Sequence, residues 1–225
     1  MLSFAGRTQS LADPGVPYRV GGFGGVEGLV AHLGREEYHA LIDATHPFAA
    51  QMSRHAAEAA RQTRLPLLRV ECPAWTAKPG DLWTDVPNMA AAAAALGPGP
   101  RRVLLSVGRL ELAAFRIAPE HDYLIRAVDP FVPALPRARV IAERGPFEVE
   151  AECALLEREK IELVVSKNSG TAATYAKIEA ARRLALPTIM VARPLLPEVP
   201  TVRTVDQALA WLDTARAQSL TLRGV

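Results

Sequence analysis

Residues 40–70 read Ala40-Leu41-Ile42, then Asp43-Ala44-Thr45-His46-Pro47, then a helix-like run from Phe48 to Arg64, then Pro66-Leu67-Leu68-Arg69-Val70. The two short apolar runs have the length of buried strands. Between them the polar turn opens a helix whose proline falls in the first turn, where a missing N–H costs nothing. A strand, a helix and a second strand in that order are joined by a right-handed crossover, and the two strands lie parallel. Ligands gather at the carboxyl ends of such strands, so the turns that follow strands are where function is sought.

The same alternation extends in both directions. Upstream, Leu2 to Ala5 and Tyr18 to Val20 read as strands, and Val26 to Leu33 has helical spacing. Downstream, Ala90 to Ala95 is helix-prone and is followed by Gly97-Pro98-Gly99-Pro100, four residues that cannot continue a helix. That break is the expected domain boundary, giving domains 1–97 and 98–225. Beyond it, strands are expected at Val103–Val107, Tyr123–Val128, Arg139–Ala142, Ile161–Val165 and Thr188–Val191. Helices are expected at Glu148–Glu159 and Thr171–Leu184, and a last one from Thr204, whose spacing to Gln207 suits a capping box. Val205, Ala208, Leu209 and Leu212 give this last helix an apolar face. The fold class is therefore α/β, with two parallel-sheet domains of Rossmann type and a cleft between them.

Composition bounds the rest. With 225 residues, 49% of them hydrophobic and 22% charged, the chain can bury a substantial core and is not intrinsically disordered. Its 26 Lys and Arg against 24 Asp and Glu leave a net charge of +2, too balanced for a nucleic-acid wrapper. Apart from Lys78, Lys160, Lys167 and Lys177, every basic residue is arginine. Guanidinium forks suit carboxylates and phosphates, and an Ala- and Arg-rich composition also follows from a GC-rich coding sequence. Cys72 and Cys153 form no CxxC pair and read as small buried hydrophobes in a reducing cytosol. The opening residues lack a signal-peptide pattern, and the longest small apolar run, Met89 to Leu96, is too short to span a bilayer.

Several turns carry chemistry. Gly6-Arg7-Thr8 follows the first strand, where a dinucleotide fold reads the adenosine ribose and an arginine can pair with the 2′-phosphate of NADP; a solvated surface charge is the plain alternative. Gly21-Gly22-Phe23-Gly24-Gly25 allows positive φ and close backbone approach to a ligand, or is simply a tight connection. The turn at Asp43 to Phe48 brings an acid, a hydroxyl, an imidazole and the free N–H groups of a helix together, or merely caps that helix. Its histidine has no metal-ligating partner at suitable spacing, so no metal site is expected. Ser166-Lys167-Asn168-Ser169-Gly170, with Tyr175 and Lys177 beyond, lacks both the Walker spacing and a YxxxK pair. Its lysine can reach a carboxylate or phosphate.

Taken together, Gly21-Gly-Phe-Gly-Gly, Asp43-Ala-Thr-His-Pro-Phe-Ala-Ala, Arg144-Gly-Pro-Phe and Ser166-Lys-Asn-Ser-Gly with Thr174-Tyr-Ala-Lys-Ile resemble the precorrin-6A reductases of cobalamin biosynthesis. The resemblance runs from about Ala5 to Arg193-Pro194, with the motifs in the family's order. It implies NADPH in the cleft and reduction of a ring double bond of precorrin-6A to give precorrin-6B. On this reading Arg7, Thr8, Gly22, Phe23, Gly24, Asp43, Thr45 and His46 hold the cofactor. Arg109, Arg144 and Lys167 meet the acetate and propionate arms of the substrate, together with Asn168, Ser169 and Gly170. The accepting carbon's neighbour also needs a proton, for which His46, Tyr175 and Lys177 are the candidates. The family's usual first strand, glycine-rich turn and helix have no counterpart ahead of Ala5, so the first domain is expected to lack that unit. The alternatives are the cobalt-precorrin-6A reaction and a non-catalytic binder of tetrapyrroles or nucleotides.

Overall fold

The computed structural model describes residues 1–6, 13–36 and 38–222, the last six of these without their side chains. The chain forms two compact units: Met1–Pro73 with Leu195–Val225, and Ala74–Pro194. The first unit opens with β1 (Leu2–Phe4), β2 (Tyr18–Val20), α1 (Val26–Leu33), β3 (Leu41–Asp43), α2 (Ala50–Thr63) and β4 (Leu67–Val70). The second contains β5 (Trp83–Val86), α3 (Met89–Ala94), β6 (Arg102–Ser106), a 3-10 helix (Arg109–Ile117), β7 (Asp122–Ala127), β8 (Ala138–Ala142) and α4 (Val149–Arg158). It continues through β9 (Leu163–Lys167), a short 3-10 turn (Ala172–Thr174), α5 (Ala176–Arg183) and β10 (Thr188–Val191). The chain then returns to the first unit with β11 (Thr201–Val202) and α6 (Val205–Leu222).

The second unit is built on six strands in the order β5-β10-β9-β6-β7-β8, every adjacent pair parallel. Leu104 of β6 faces Leu124 of β7 and Val164 of β9 in register. These central strands are nearly continuous apolar runs, as sheets covered on both faces require. Leu155 and Leu156 of α4 and Ala180 and Ala181 of α5 close over Leu104, Leu124 and Val164 in one buried cluster. Each fully buried aliphatic side chain there contributes about 1.5–3 kcal/mol.

In the first unit β1 pairs with β2, and β3 pairs with β4, which pairs with β11, all in parallel. These are two separate sheets among the described residues, with no ladder joining them. Leu29 and Leu33 of α1 pack with Ala59 of α2, while Ala56 and Ala60 of α2 cover Leu67 of β4.

The division differs from the boundary expected at Gly97-Pro100. Residues 74–97 belong with the second unit because β5 pairs along its whole length with β10, and the C-terminal strand and helix belong with the first because β11 pairs with β4. The glycine-proline break is a turn between α3 and β6, with Gly97 and Gly99 at φ 78° and 85°. Long-range ladders, not local breakers, set the units. Three further expectations are corrected. The α2 helix starts at Ala50, so Pro47 precedes it. Cys72 is exposed because it lies in the irregular segment after β4. Ala208 is buried, but Val205 and Leu209 are 69% and 54% exposed, so α6 buries only part of its expected apolar face. No described helix is long and apolar enough to cross a membrane.

Candidate functional site

Two turns of the first unit carry residues expected to hold a cofactor. In Gly21-Gly22-Phe23-Gly24-Gly25 the glycines at 21, 24 and 25 have φ of 114°, 78° and 104°, backbone that side-chain-bearing residues rarely adopt. A Cβ placed at Gly21, Gly22, Gly24 or Gly25 would meet nothing within 4 Å, so the backbone here borders open space. Arg19, the middle residue of β2, holds the turn from behind. Its guanidinium donates to the carbonyls of Gly21 and Gly22 at 2.8 and 2.9 Å and to Ser3 Oγ at 3.1 Å, and it stacks 4.0 Å from the centre of the Phe23 ring. Gly28 of α1 completes the packing, because a Cβ there would lie 1.7 Å from the Phe23 carbonyl oxygen. Arg7 and Thr8 lie outside the described residues.

Asp43, at the end of β3, is 4% exposed and works inward. Its carboxylate accepts from Thr45 N–H at 3.2 Å, Thr45 Oγ1 at 2.7 Å and Arg69 Nε at 3.3 Å. Thr45 Oγ1 is also 3.2 Å from Ser53 Oγ on α2. The acid and hydroxyl thus fix the turn into α2, while Ala44, Thr45 and His46 are exposed. His46 Nδ1 accepts the N–H of Phe48 at 3.2 Å, which assigns the ring proton to Nε2. Arg69, an arginine inside an apolar strand, was the signal for this buried pair, and sequence reasoning passed over it.

In the second unit the strand order places the ends of β9, β6, β7 and β8 side by side along one edge. Lys167, from the end of β9, pairs with both carboxylate oxygens of Glu111 at 3.0 and 3.1 Å. Glu111 also accepts the N–H of Gly108, where a Cβ would lie only 2.7 Å from its oxygen. Arg109 is exposed and lies 5.0 Å from the centre of the Phe131 ring, in the loop after β7. Arg144 is exposed after β8, beside the cis Gly145-Pro146 bond. On the segments that follow β6 and β7, Leu110, Val128 and Val132 leave apolar side chains 74%, 44% and 91% exposed.

The Ser166 to Gly170 turn is tied down by its own side chains. Asn168 accepts the N–H of Trp75 at 2.7 Å and donates to the Trp75 carbonyl at 2.9 Å, strapping the irregular segment after Ala74 onto the turn. Arg193 donates to the carbonyls of Asn168 and Ser169 at 2.9 and 3.0 Å. The Tyr175 ring sits edge-on against Trp75, 5.5 Å between centroids, and its hydroxyl accepts from Arg182 at 2.6 Å. Arg182 in turn pairs with Asp81 at 2.9 Å. Lys177 is buried beneath Trp75. Asn168, Tyr175 and Lys177, expected at a ligand, are thus engaged within the protein, whereas Arg109 and Arg144 are exposed and Lys167 is half-buried. Trp75, Arg193 and Glu111 were missed, since each acts through contacts distant in sequence.

Under α4, Arg126 of β7 donates to Glu152 at 2.7 Å, lies 3.1 Å from Glu143, and faces the Phe147 ring at 4.4 Å. Among the described residues no group of three His, Cys, Asp or Glu side chains is placed to hold a metal ion.

Comparison with known proteins bears on this geometry. Residues 1–213 match the family model described as precorrin-6x reductase CbiJ/CobK. The precorrin-6A reductase of Rhodobacter capsulatus is 48% identical over 214 residues, covering 94% of this chain and 85% of that protein. A precorrin-6A reductase from a Sinorhizobium species is 47% identical over 92% of this chain and 80% of its own. The cobalt-precorrin-6A reductase of Priestia megaterium is 31% identical over 81% and 76%. A solved structure of CobK precorrin-6A reductase superposes with a TM-score of 0.90 at 47% identity, covering 95% of this chain and 86% of that one. The glycine-rich turn, the Asp43 turn and the Ser166 turn described above all fall within the matched residues, and the chain belongs to the precorrin-6x reductase family of cobalamin biosynthesis.

Proposed function

We propose that the protein is an NADPH-dependent reductase that adds a hydride and a proton across one ring double bond of precorrin-6A, giving precorrin-6B. The observation that carries this reading is the carboxyl edge of the second unit's sheet, whose turns carry the exposed Arg109 and Arg144 and the exposed apolar side chains of Leu110, Val128 and Val132, with Lys167 half-buried against Glu111. A flat macrocycle edged with carboxylates needs that combination, apolar surface for its face and guanidinium or ammonium groups for its arms. The higher identity to the metal-free reductases, 48% against 31%, favours precorrin-6A over its cobalt form.

The first unit fits a dinucleotide. Open space beside Gly21, Gly22, Gly24 and Gly25 lets a ligand approach the backbone, and the rigid support from Arg19 and Gly28 keeps that surface in place. In this reading Gly22, Phe23, Gly24, Thr45 and His46 hold NADPH, Asp43 fixes the turn that presents the last two, and Thr8 and Arg7 complete the site, with Arg7 on the 2′-phosphate. The cofactor, when bound, supplies the hydride. Of the three candidate proton donors, Tyr175 and Lys177 are held inside the second unit, and we assign the proton to the exposed His46, acting as an imidazolium that has given up its contact with the Phe48 N–H.

The test is an assay with precorrin-6A and NADPH: one NADPH is oxidised per tetrapyrrole reduced. Tetrapyrrole binding without oxidation of NADPH would make the protein a binder. Arg7→Ala is expected to weaken NADPH by about 1.5–3 kcal/mol, the scale of a hydrogen bond to a charged group, and to leave NADH unchanged. His46→Gln is expected to lower kcat by about 100-fold or more, as loss of a general acid does. Normal turnover by that variant removes the assignment.

A further inference from the structure

Arg126 follows the buried apolar residues Tyr123, Leu124 and Ile125 on β7, and its own side chain is only 6% exposed. A guanidinium keeps its charge, so its burial has to be offset by contacts. Three are made, all to residues 143–152. Nη1 donates to Glu152, in the first turn of α4, at 2.7 Å. Glu143, the residue after β8, brings Oε2 to 3.1 Å from Nε, near enough for charge attraction though not aligned as a hydrogen bond. The Phe147 ring lies against the guanidinium, its centre 4.4 Å from the central carbon. Nη2 has no hydrogen-bond partner among the described residues, which leaves the ring face to compensate the rest of the charge.

These contacts bracket Arg144. Glu143 precedes it, Phe147 closes the turn, and Glu152 fixes the helix that follows. The turn itself is tight. A Cβ at Gly145 would lie 3.0 Å from the Phe147 ring and 3.1 Å from the Ala173 carbonyl, and the Phe147 N–H donates to that carbonyl at 3.4 Å. At the other end the Glu143 N–H donates to the Ala127 carbonyl at 2.8 Å. Were the turn to swing away, Arg126 would lose the carboxylate of Glu143 and the ring together and keep Glu152 alone. A buried cation stripped of partners is heavily penalised, so the burial of Arg126 holds the turn in place.

We propose that Arg126 is a positioning residue for Arg144: by holding Glu143 and Phe147 on either side, it keeps the backbone of the turn in one arrangement before a ligand arrives. Arg144 then reaches a substrate carboxylate from a fixed origin, and binding does not have to order the turn. The effect on substrate rests on the assignment of this edge to the tetrapyrrole; the ordering of the turn does not.

The experiment uses the full chain. Phe147→Leu removes the ring and Glu143→Gln the opposing charge, and each leaves the Arg126–Glu152 pair intact; Glu143 is exposed, so its replacement does not threaten the fold. Without ligand, hydrogen exchange at the amides of Arg144 and Gly145 is expected to quicken several-fold in Phe147→Leu and less in Glu143→Gln. It should stay slow in Phe147→Tyr, which keeps an aromatic face, and the amides of β6 and β9 should be as protected as before in all three. With precorrin-6A and NADPH, the KM for the tetrapyrrole is expected to rise several-fold in Phe147→Leu with kcat little changed, and to stay normal in Phe147→Tyr. Arg126→Met combined with Glu152→Met, which removes both buried charges together, is expected to raise KM as Phe147→Leu does. On an Arg144→Ala background Phe147→Leu should add no further rise, because no guanidinium is left to place. Unchanged exchange in the turn, an unchanged KM in Phe147→Leu, or the same rise in KM with and without Arg144, overturns the proposal. If none of these proteins turns over precorrin-6A, the functional reading fails, and the exchange measurements still decide whether Arg126 holds the turn.

Discussion

The turns that follow β2 and β9 occupy equivalent places, each at the carboxyl end of a parallel strand, yet they are held in opposite ways. After β2 the backbone of Gly21 to Gly25 is bare on its open side and is supported from behind by one arginine, Arg19. After β9 the turn is knitted by its own polar side chains, with Asn168 bonded to Trp75, Arg193 to two carbonyls and Lys167 to Glu111. The first arrangement offers backbone to a ligand and depends on what the residues lack. The second offers charge, already ordered by the fold, and depends on what the residues carry. Buried ion pairs repeat the contrast: Asp43 keeps two bonds from Thr45 beside its contact with Arg69, whereas Arg126 leans on Glu152, with Glu143 42% exposed.

That last difference can be broken most severely. Glu152→Leu leaves the Arg126 guanidinium buried with one half-exposed partner and is expected to cost about 3–5 kcal/mol in urea unfolding. Arg69→Met, the matching change in the first unit, is expected to cost clearly less, because Asp43 retains the N–H and hydroxyl of Thr45. Equal losses would show that the two pairs are energetically alike.

A second effect depends on pH and is spread over several pH units. Burial, helped by Arg126, pushes the Lys177 amine down from its ordinary 10.5 to about 7 in the folded protein. Between those values the unfolded chain holds a proton that the folded chain does not, so stability rises with pH, at up to about 1.4 kcal/mol per pH unit. Below pH 7 both states are protonated and the cost of the buried charge is present in full. Lys177→Met is expected to flatten this rise, measured as the unfolding midpoint from neutral to alkaline pH; an unchanged slope assigns the rise to other groups.

The smallest stability change is expected at Gly22, whose φ is not positive and whose Cβ position meets nothing. Gly22→Ala should alter stability by less than about 0.5 kcal/mol. Yet it should weaken NADPH binding several-fold, by under about 1 kcal/mol, since a methyl group would occupy the bare side of the turn. Unchanged affinity would take Gly22 out of the cofactor contact.

Apolar runs three to six residues long, separated by helical spacing, were enough to establish an α/β chain with parallel strands, because strand and helix periodicity are local properties of the sequence. The same holds for the turns: the four glycines at 21, 22, 24 and 25 allowed positive φ, which 21, 24 and 25 adopt, and the polar residues at 43–46 and 166–170 announced strand-to-helix junctions. Motif order also carried the family resemblance. Tertiary structure alone decided which segments pair. Trp83–Val86 joins β10 across more than a hundred residues, and Thr201–Val202 returns to β4, and neither segment carries a distinctive pattern of its own. It also decided which polar residues of a motif face outward. Asn168 and Lys177 stand in the motif as ligand candidates, but hydrogen bonds to Trp75 and Thr174 turn them inward. The reason is that a residue's type sets what it can bond to, while the partner that satisfies it is brought by chain folding from distant positions, where no local pattern records it.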